Sequence, residues 1–220
     1  MPGPIVVAFD GTSAAEHALA WAAAAAVRRG SDLVIATTSW WPVMLEPVPA
    51  GVRLVPDACV DLAVEQVTAQ WPDLRVSGLE SGGAGELLAR AAELDASLLV
   101  LAAETRTPWR ALTRGADRPL AFVGTVAGPV VLEVRARQLR RDTLSLAFDL
   151  ARPTGTGLHL LHTAWHRPRP ADLAGFVVSE LADWLVAYPN VAVTYQLTTG
   201  PRVRALNRSA RTASVLLPAR

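Results

Sequence analysis

The chain has 220 residues, 51% of them apolar and 19% charged, which excludes a disordered polypeptide. Its longest pure apolar run, Ala18 to Val27, is ten residues, about half of what a membrane-spanning helix needs, and Met1–Asp10 carries no positive leader. Cys59 is the only cysteine and lysine is absent, so 21 Arg against 20 Asp and Glu make the formal charge of +1; a cytoplasmic protein without disulfides is expected.

Residues 4–9, Pro-Ile-Val-Val-Ala-Phe, form a short apolar run closed by Asp10-Gly11, the pattern of a buried parallel strand. Ser13-Ala-Ala-Glu16 fits a capping box, and the helix it opens runs through alanines to Arg28-Arg29, with Gly30 as its left-handed cap. Leu33 to Thr37 reads as the next strand, and 41–55, rich in Pro and Val, as a loop. Asp57 caps a helix to about Gln70, ended by Trp71-Pro72 because a residue before proline avoids helical backbone. Leu74–Leu79 is a third strand, Gly82-Gly83 turns into a helix from Gly85 to Leu94, and Leu98–Leu101 is a fourth strand. Residues 105–125 read as loop or helix, and Pro129–Val134 as a fifth strand. Strands alternating with helices predict an α/β, Rossmann-like fold around a parallel five-stranded sheet.

The second half repeats the first. Asp32–Trp40 aligns with Gly157–Trp165 at a separation of 125, which also pairs Gly30 with Gly155. Further on the separation is 117: Trp71-Pro72 matches Tyr188-Pro189, Gly83 matches Gly200, and Ala96-Ser97-Leu98 matches Ala213-Ser214-Val215. The difference falls in the loop after the second strand, where length changes cost little. The expected division is residues 1–134 as a full domain and 135–220 as a truncated, degenerate copy. Gly128–Leu132 also aligns with Gly3–Val7, but the preceding pattern assigns this strand to the end of the first copy. That leaves the second copy without a central strand. Residues 1–134 hold nine Arg and 15 Asp and Glu, a net −6, and residues 135–220 hold 12 Arg and five Asp and Glu, a net +7. Either the halves dock on each other or the second half faces an anionic partner.

Val6-Val-Ala-Phe-Asp10-Gly-Thr-Ser13, with Ala18–Trp21, Arg28-Arg-Gly30 and Leu33–Trp40, resembles the opening of a universal stress protein domain. Leu158–Trp165 and Gly200–Leu206 resemble the same pattern, so the chain is similar to the tandem, actinobacterial form of that family. The resemblance implies an adenine-nucleotide-α-hydrolase-like fold, a role in stress response and, in many members, ATP. It would place the nucleotide at Asp10, Gly11 and Thr12 and on a glycine loop G-x2-G-x9-G-[ST] after the fourth strand. Here that loop falls on Ala102, Thr105, Gly115 and Ala116, so only Gly115 remains, and Pro108 removes an N–H. Two Cβ atoms, at Ala102 and Thr105, and two missing donors, the hydroxyl at Ala116 and the N–H at Pro108, predict that tight ATP binding is lost. Asp10 to Ser13 is equally what a strand-to-helix turn with an N-cap requires, with no ligand at all.

Other chemistry is sparse. Arg106, Arg110, Arg114 and Arg118 recur every four residues beside Trp109, either a solvated helix face or a stripe for nucleic acid. Arg202, Arg204, Arg208 and Arg211 form a second basic cluster. His17, His159, His162 and His166 are the only histidines, and His159 and His162 point to opposite faces of one strand, so they do not share a metal. Trp40 and Trp165, at equivalent strand ends, read as packing residues. No nucleophile elbow, Walker loop or zinc motif occurs, so no catalytic residue and no metal site is assigned. The expectation is a non-enzymatic regulatory or adaptor protein working through a protein partner or a second copy of itself, without membrane contact. An ATP-binding sensor and an RNA- or ribosome-associated factor are the alternatives.

Overall fold

The computed structural model describes residues 2–38, 56–103, 112–113, 115–135, 140–164 and 170–219. The chain divides into two units, Met1–Val123 and Gly124–Ala219. In the first, the order is β1 (Ile5–Phe9), α1 (Ser13–Arg29), β2 (Leu33–Thr38), α2 (Pro56–Gln70), β3 (Val76–Ser81), α3 (Ala84–Glu93), β4 (Leu98–Ala102) and β5 (Leu120–Val123). The strands lie in the order β3-β2-β1-β4-β5, all parallel. β1 is central: Ile5 faces Leu33 on one side and Leu98 on the other. Ile5, Val6, Val7, Leu98, Leu99 and Val100 are fully buried, as strands covered on both faces must be. Eight of α1's residues are buried, seven of them alanines, and small side chains let this helix lie close on the sheet.

The second unit runs β6 (Val130–Val134), α4 (Arg141–Thr154), β7 (Leu158–Ala164), α5 (Pro170–Ala187), β8 (Val193–Thr199), α6 (Arg202–Ala210) and β9 (Val215–Leu217). Its strands lie in the order β9-β6-β7-β8, again parallel. The registers repeat those of the first unit. Val130 faces Leu158 and Val215 as Ile5 faces Leu33 and Leu98, at the separations of 125 and 117 found in the sequence. Gly155 ends α4 in left-handed backbone (φ 64°) as Gly30 ends α1 (φ 61°). The Ser97 N–H donates to the Pro4 carbonyl at 2.9 Å, and the Ser214 N–H to the Pro129 carbonyl at 3.1 Å. Where α1 is padded with alanine, α4 buries Leu144, Leu146, Phe148 and Leu150, and Phe148 stacks on Trp184 with ring centroids 5.7 Å apart.

These pairings correct the expected boundary. Val130–Val134 does not finish the first unit: it pairs with β7 and β9 and is the central strand of the second. The second unit therefore possesses the strand it was expected to lack, and the division falls after Val123 rather than at 134. The first unit is finished by β5, inside the stretch read as loop or helix. Leu-Ala-Phe-Val between Pro119 and Gly124 is too short for its period to separate strand from helix. Pairing with Leu99–Ala102 and complete burial make it a strand.

Gly3 and Gly128 hold equivalent positions where the chain enters each central strand. A Cβ on Gly3 would collide with the carbonyl of Asp95, and one on Gly128 with the carbonyl of Thr212. Backbone cannot yield there as a flexible side chain would. Gly3→Ala and Gly128→Ala are each expected to lower stability in urea unfolding by about 2 kcal/mol. Gly85→Ala, in a helix with open space around it, is expected to be neutral or to stabilise by up to about 1 kcal/mol.

Candidate functional site

In open parallel sheets, ligands sit beyond the carboxyl ends of the strands where the strand order reverses. In the first unit that point lies between β1 and β4, so the turn after β1 is the place to look. Asp10, Gly11 and Thr12 form it. Gly11 has φ 74°, a left-handed conformation that suits glycine. Asp10 Oδ1 accepts from the Thr12 N–H at 3.1 Å and from the Thr12 hydroxyl at 2.6 Å. Thr12 Oγ1 in turn accepts from the Ala15 N–H at 3.2 Å. The cap of α1 is thus Thr12, one residue before the expected Ser13, because the Asp10 carboxylate orients the Thr12 hydroxyl toward the helix.

Across the reversal, β4 ends at Ala102, and the next N–H, Ala103, donates to the Val123 carbonyl at 2.8 Å. Ala102 and Ala116 are buried. Gly115 has helical backbone and lies beside α3, where an added Cβ would stand 3.1 Å from Leu88 Cδ1. Asp10, Gly11 and Thr12 are therefore joined in one hydrogen-bonded turn, while Gly115 packs against a helix. Thr105, Arg106, Pro108, Trp109, Arg110 and Arg114 lie outside the described residues, as do Trp40, Trp165 and His166. Arg118, the one described member of the arginine series, is half-buried and pairs with Asp95 at 2.6 Å. Two residues before Asp10, Ala8 is the single β1 residue that is not buried.

The matching end of the second unit is built differently. Arg135 takes the place of Asp10 and is exposed. Glu133, one turn of the pleat earlier than Val134 and wholly buried, meets Arg202 from the start of α6, at 2.7 Å on both carboxylate oxygens. Arg202 is thereby withdrawn from the basic cluster, whose Arg204, Arg208 and Arg211 stay exposed. Sequence reasoning missed this pair, taking Glu133 as part of a strand and Arg202 as surface. The available signal was a lone acid inside the apolar run Val-Val-Leu-Glu-Val.

The two histidines of β7 have polar neighbours, whereas His17 lies exposed on α1. His159 Nδ1 and Nε2 lie 2.8 Å from Thr194 Oγ1 and 3.1 Å from Gln196 Oε1. His162 Nδ1 lies 2.6 Å from the Tyr195 hydroxyl, on the opposite face as expected. Burial holds the His162 imidazole below the ordinary histidine value. Among the described residues no cluster of three His, Cys, Asp or Glu is placed to hold a metal, and no described helix is long and apolar enough to cross a membrane. Cys59 lies on α2.

If Thr12 closes the first turn of α1 as this geometry implies, Thr12→Ala should cost about 1 kcal/mol in chemical unfolding, and Ser13→Ala should cost only a few tenths.

No curated protein matches the chain. Among solved structures, a provisionally assigned universal stress protein from Pseudomonas aeruginosa UCBPP-PA14 is similar over 98% of this chain and 92% of its own, at 13% identity and a TM-score of 0.59. A functionally unknown protein from P. aeruginosa PAO1 is similar over 98% and 91%, at the same identity and score. At this identity the likeness is one of fold. A universal stress protein from Archaeoglobus fulgidus, solved in complex with dAMP, matches 55% of this chain and 97% of its own, at 20% identity and a TM-score of 0.39. The sequence model of the universal stress protein family matches residues 1–117, more than half of the chain, and the protein belongs to that family.

Proposed function

We propose that this chain is a tandem universal stress protein of the actinobacterial kind that works by binding other proteins, as a non-enzymatic, cytoplasmic regulator or adaptor in stress response. The observation that carries the reading is the state of the first unit's strand ends. Asp10 spends Oδ1 on the cap of α1, and the first N–H beyond β4 is bonded to Val123. A phosphate would have to compete with both. The departures from the glycine loop at Ala102, Thr105 and Ala116 support the same view.

The second reading, an ATP-binding sensor using Asp10, Gly11, Thr12 and Gly115, draws on Ala8. That small, partly open residue beside the N-terminus of a 17-residue helix leaves room and a positive dipole for an anion. Equilibrium dialysis of the full chain with labelled ATP separates the two. No saturable binding is expected at millimolar ATP. Saturable binding that disappears in Asp10→Ala would replace the adaptor reading with the sensor.

A further inference from the structure

Glu133 is the one charged side chain buried among the described residues, and every polar contact around it is short. Its Oε1 accepts from the Thr163 hydroxyl and from Arg202 Nε, each at 2.7 Å. Its Oε2 accepts from Arg202 Nη2 at 2.7 Å and from the Ala219 N–H at 2.9 Å. Arg202 Nη2 donates also to the Ala219 carbonyl at 2.6 Å. The acid and the base therefore grip both polar groups of one residue in the segment beyond β9.

The place of this cluster matters more than its strength. Glu133, Thr163 and Ala219 stand at the carboxyl ends of β6, β7 and β9, and the strand order reverses between β6 and β9. That is the second unit's own ligand position. At the same separations of 125 and 117, the first unit carries Ala8, Thr38, Gly85 and Ala102, with no charge among them. One unit has a small, partly exposed alanine at this point. The other has a bidentate ion pair and a strap of main chain.

We infer that Glu133 and Arg202 are an internal occupant of the second unit's ligand crevice and latch residues 217–219 across it. The guanidinium and carboxylate satisfy each other and the main chain at Ala219, so this pair offers its polar groups to the protein rather than to a small ligand. The identity of the crevice rests on the tandem reading above, through the correspondence of the two units. The latch itself rests on distances within the second unit.

A buried pair of this kind makes a specific demand: losing one partner strands a charge, whereas losing both strands none. Thermal unfolding of Glu133→Ala, Arg202→Gly and the double variant tests it, each residue being replaced by its counterpart in the first unit. Each single variant is expected to lower Tm by about 10 °C, and the double variant by no more than either single. Hydrogen exchange supplies a reading that needs no substitution. In the wild-type chain the Ala219 amide is expected to exchange at least about 100-fold slower than in an unstructured peptide. In Arg202→Lys, which keeps the charge and loses the fork, that protection falls while the amides of β7 stay protected. Additive losses in the double variant, or free exchange at Ala219 in the wild type, overturn the latch. ATP binding that disappears in Asp10→Ala bears on the adaptor reading alone, so either proposal can fail without the other.

Discussion

A parallel sheet that winds first one way and then the other leaves a gap at the carboxyl ends of its central strands, because the two flanking connections depart to opposite sides. Each unit of this protein has such a gap, at β1/β4 and at β6/β9. The two gaps are built differently. In the first, Ala8 is small and partly exposed, and the nearby Asp10 serves the start of α1. In the second, an acid and an arginine close on each other and on the main chain at Ala219.

The remainder of each unit serves to hold its central strand in place. Gly3 and Gly128 let that strand pass against the turn that precedes β4 or β9, and nothing larger fits. Beyond this shared constraint the units pack differently. The first sets an alanine-covered helix on its sheet, and the second uses Leu, Phe and a ring cluster of Phe148, Trp184 and Tyr188. The Tyr188 hydroxyl donates to Asp149 at 2.8 Å, tying that cluster to α4. The same registers are thus supported by unlike cores, as expected when backbone geometry is the stricter requirement and core volume can be redistributed.

Much of this was legible in the residues. Gly30 and Gly155 as helix ends, the two separations of 125 and 117, and the strands β1, β2 and β4 all follow from local pattern, because buried parallel strands read as unbroken apolar runs. The boundary was not. Val130–Val134 and Leu120–Val123 are both short apolar runs after a proline, and only hydrogen-bond partners distinguish which unit each completes. The candidate site divides in the same way. Asp10–Thr12 is a local turn, and its capping role lies within three residues of sequence. Glu133 and Arg202 are separated by 69 residues, and the contact exists only because the fold brings β6 and the start of α6 to one end of the sheet.

The central claim, that the second unit's strand ends are closed by its own side chains, is tested most directly by photolabelling the wild-type chain with an azido-ATP analogue and mapping the modified peptides. The account predicts no label on residues 131–135 or 215–219 at any concentration of the analogue. Label on either segment that unmodified ATP competes away would show an open crevice there and contradict it.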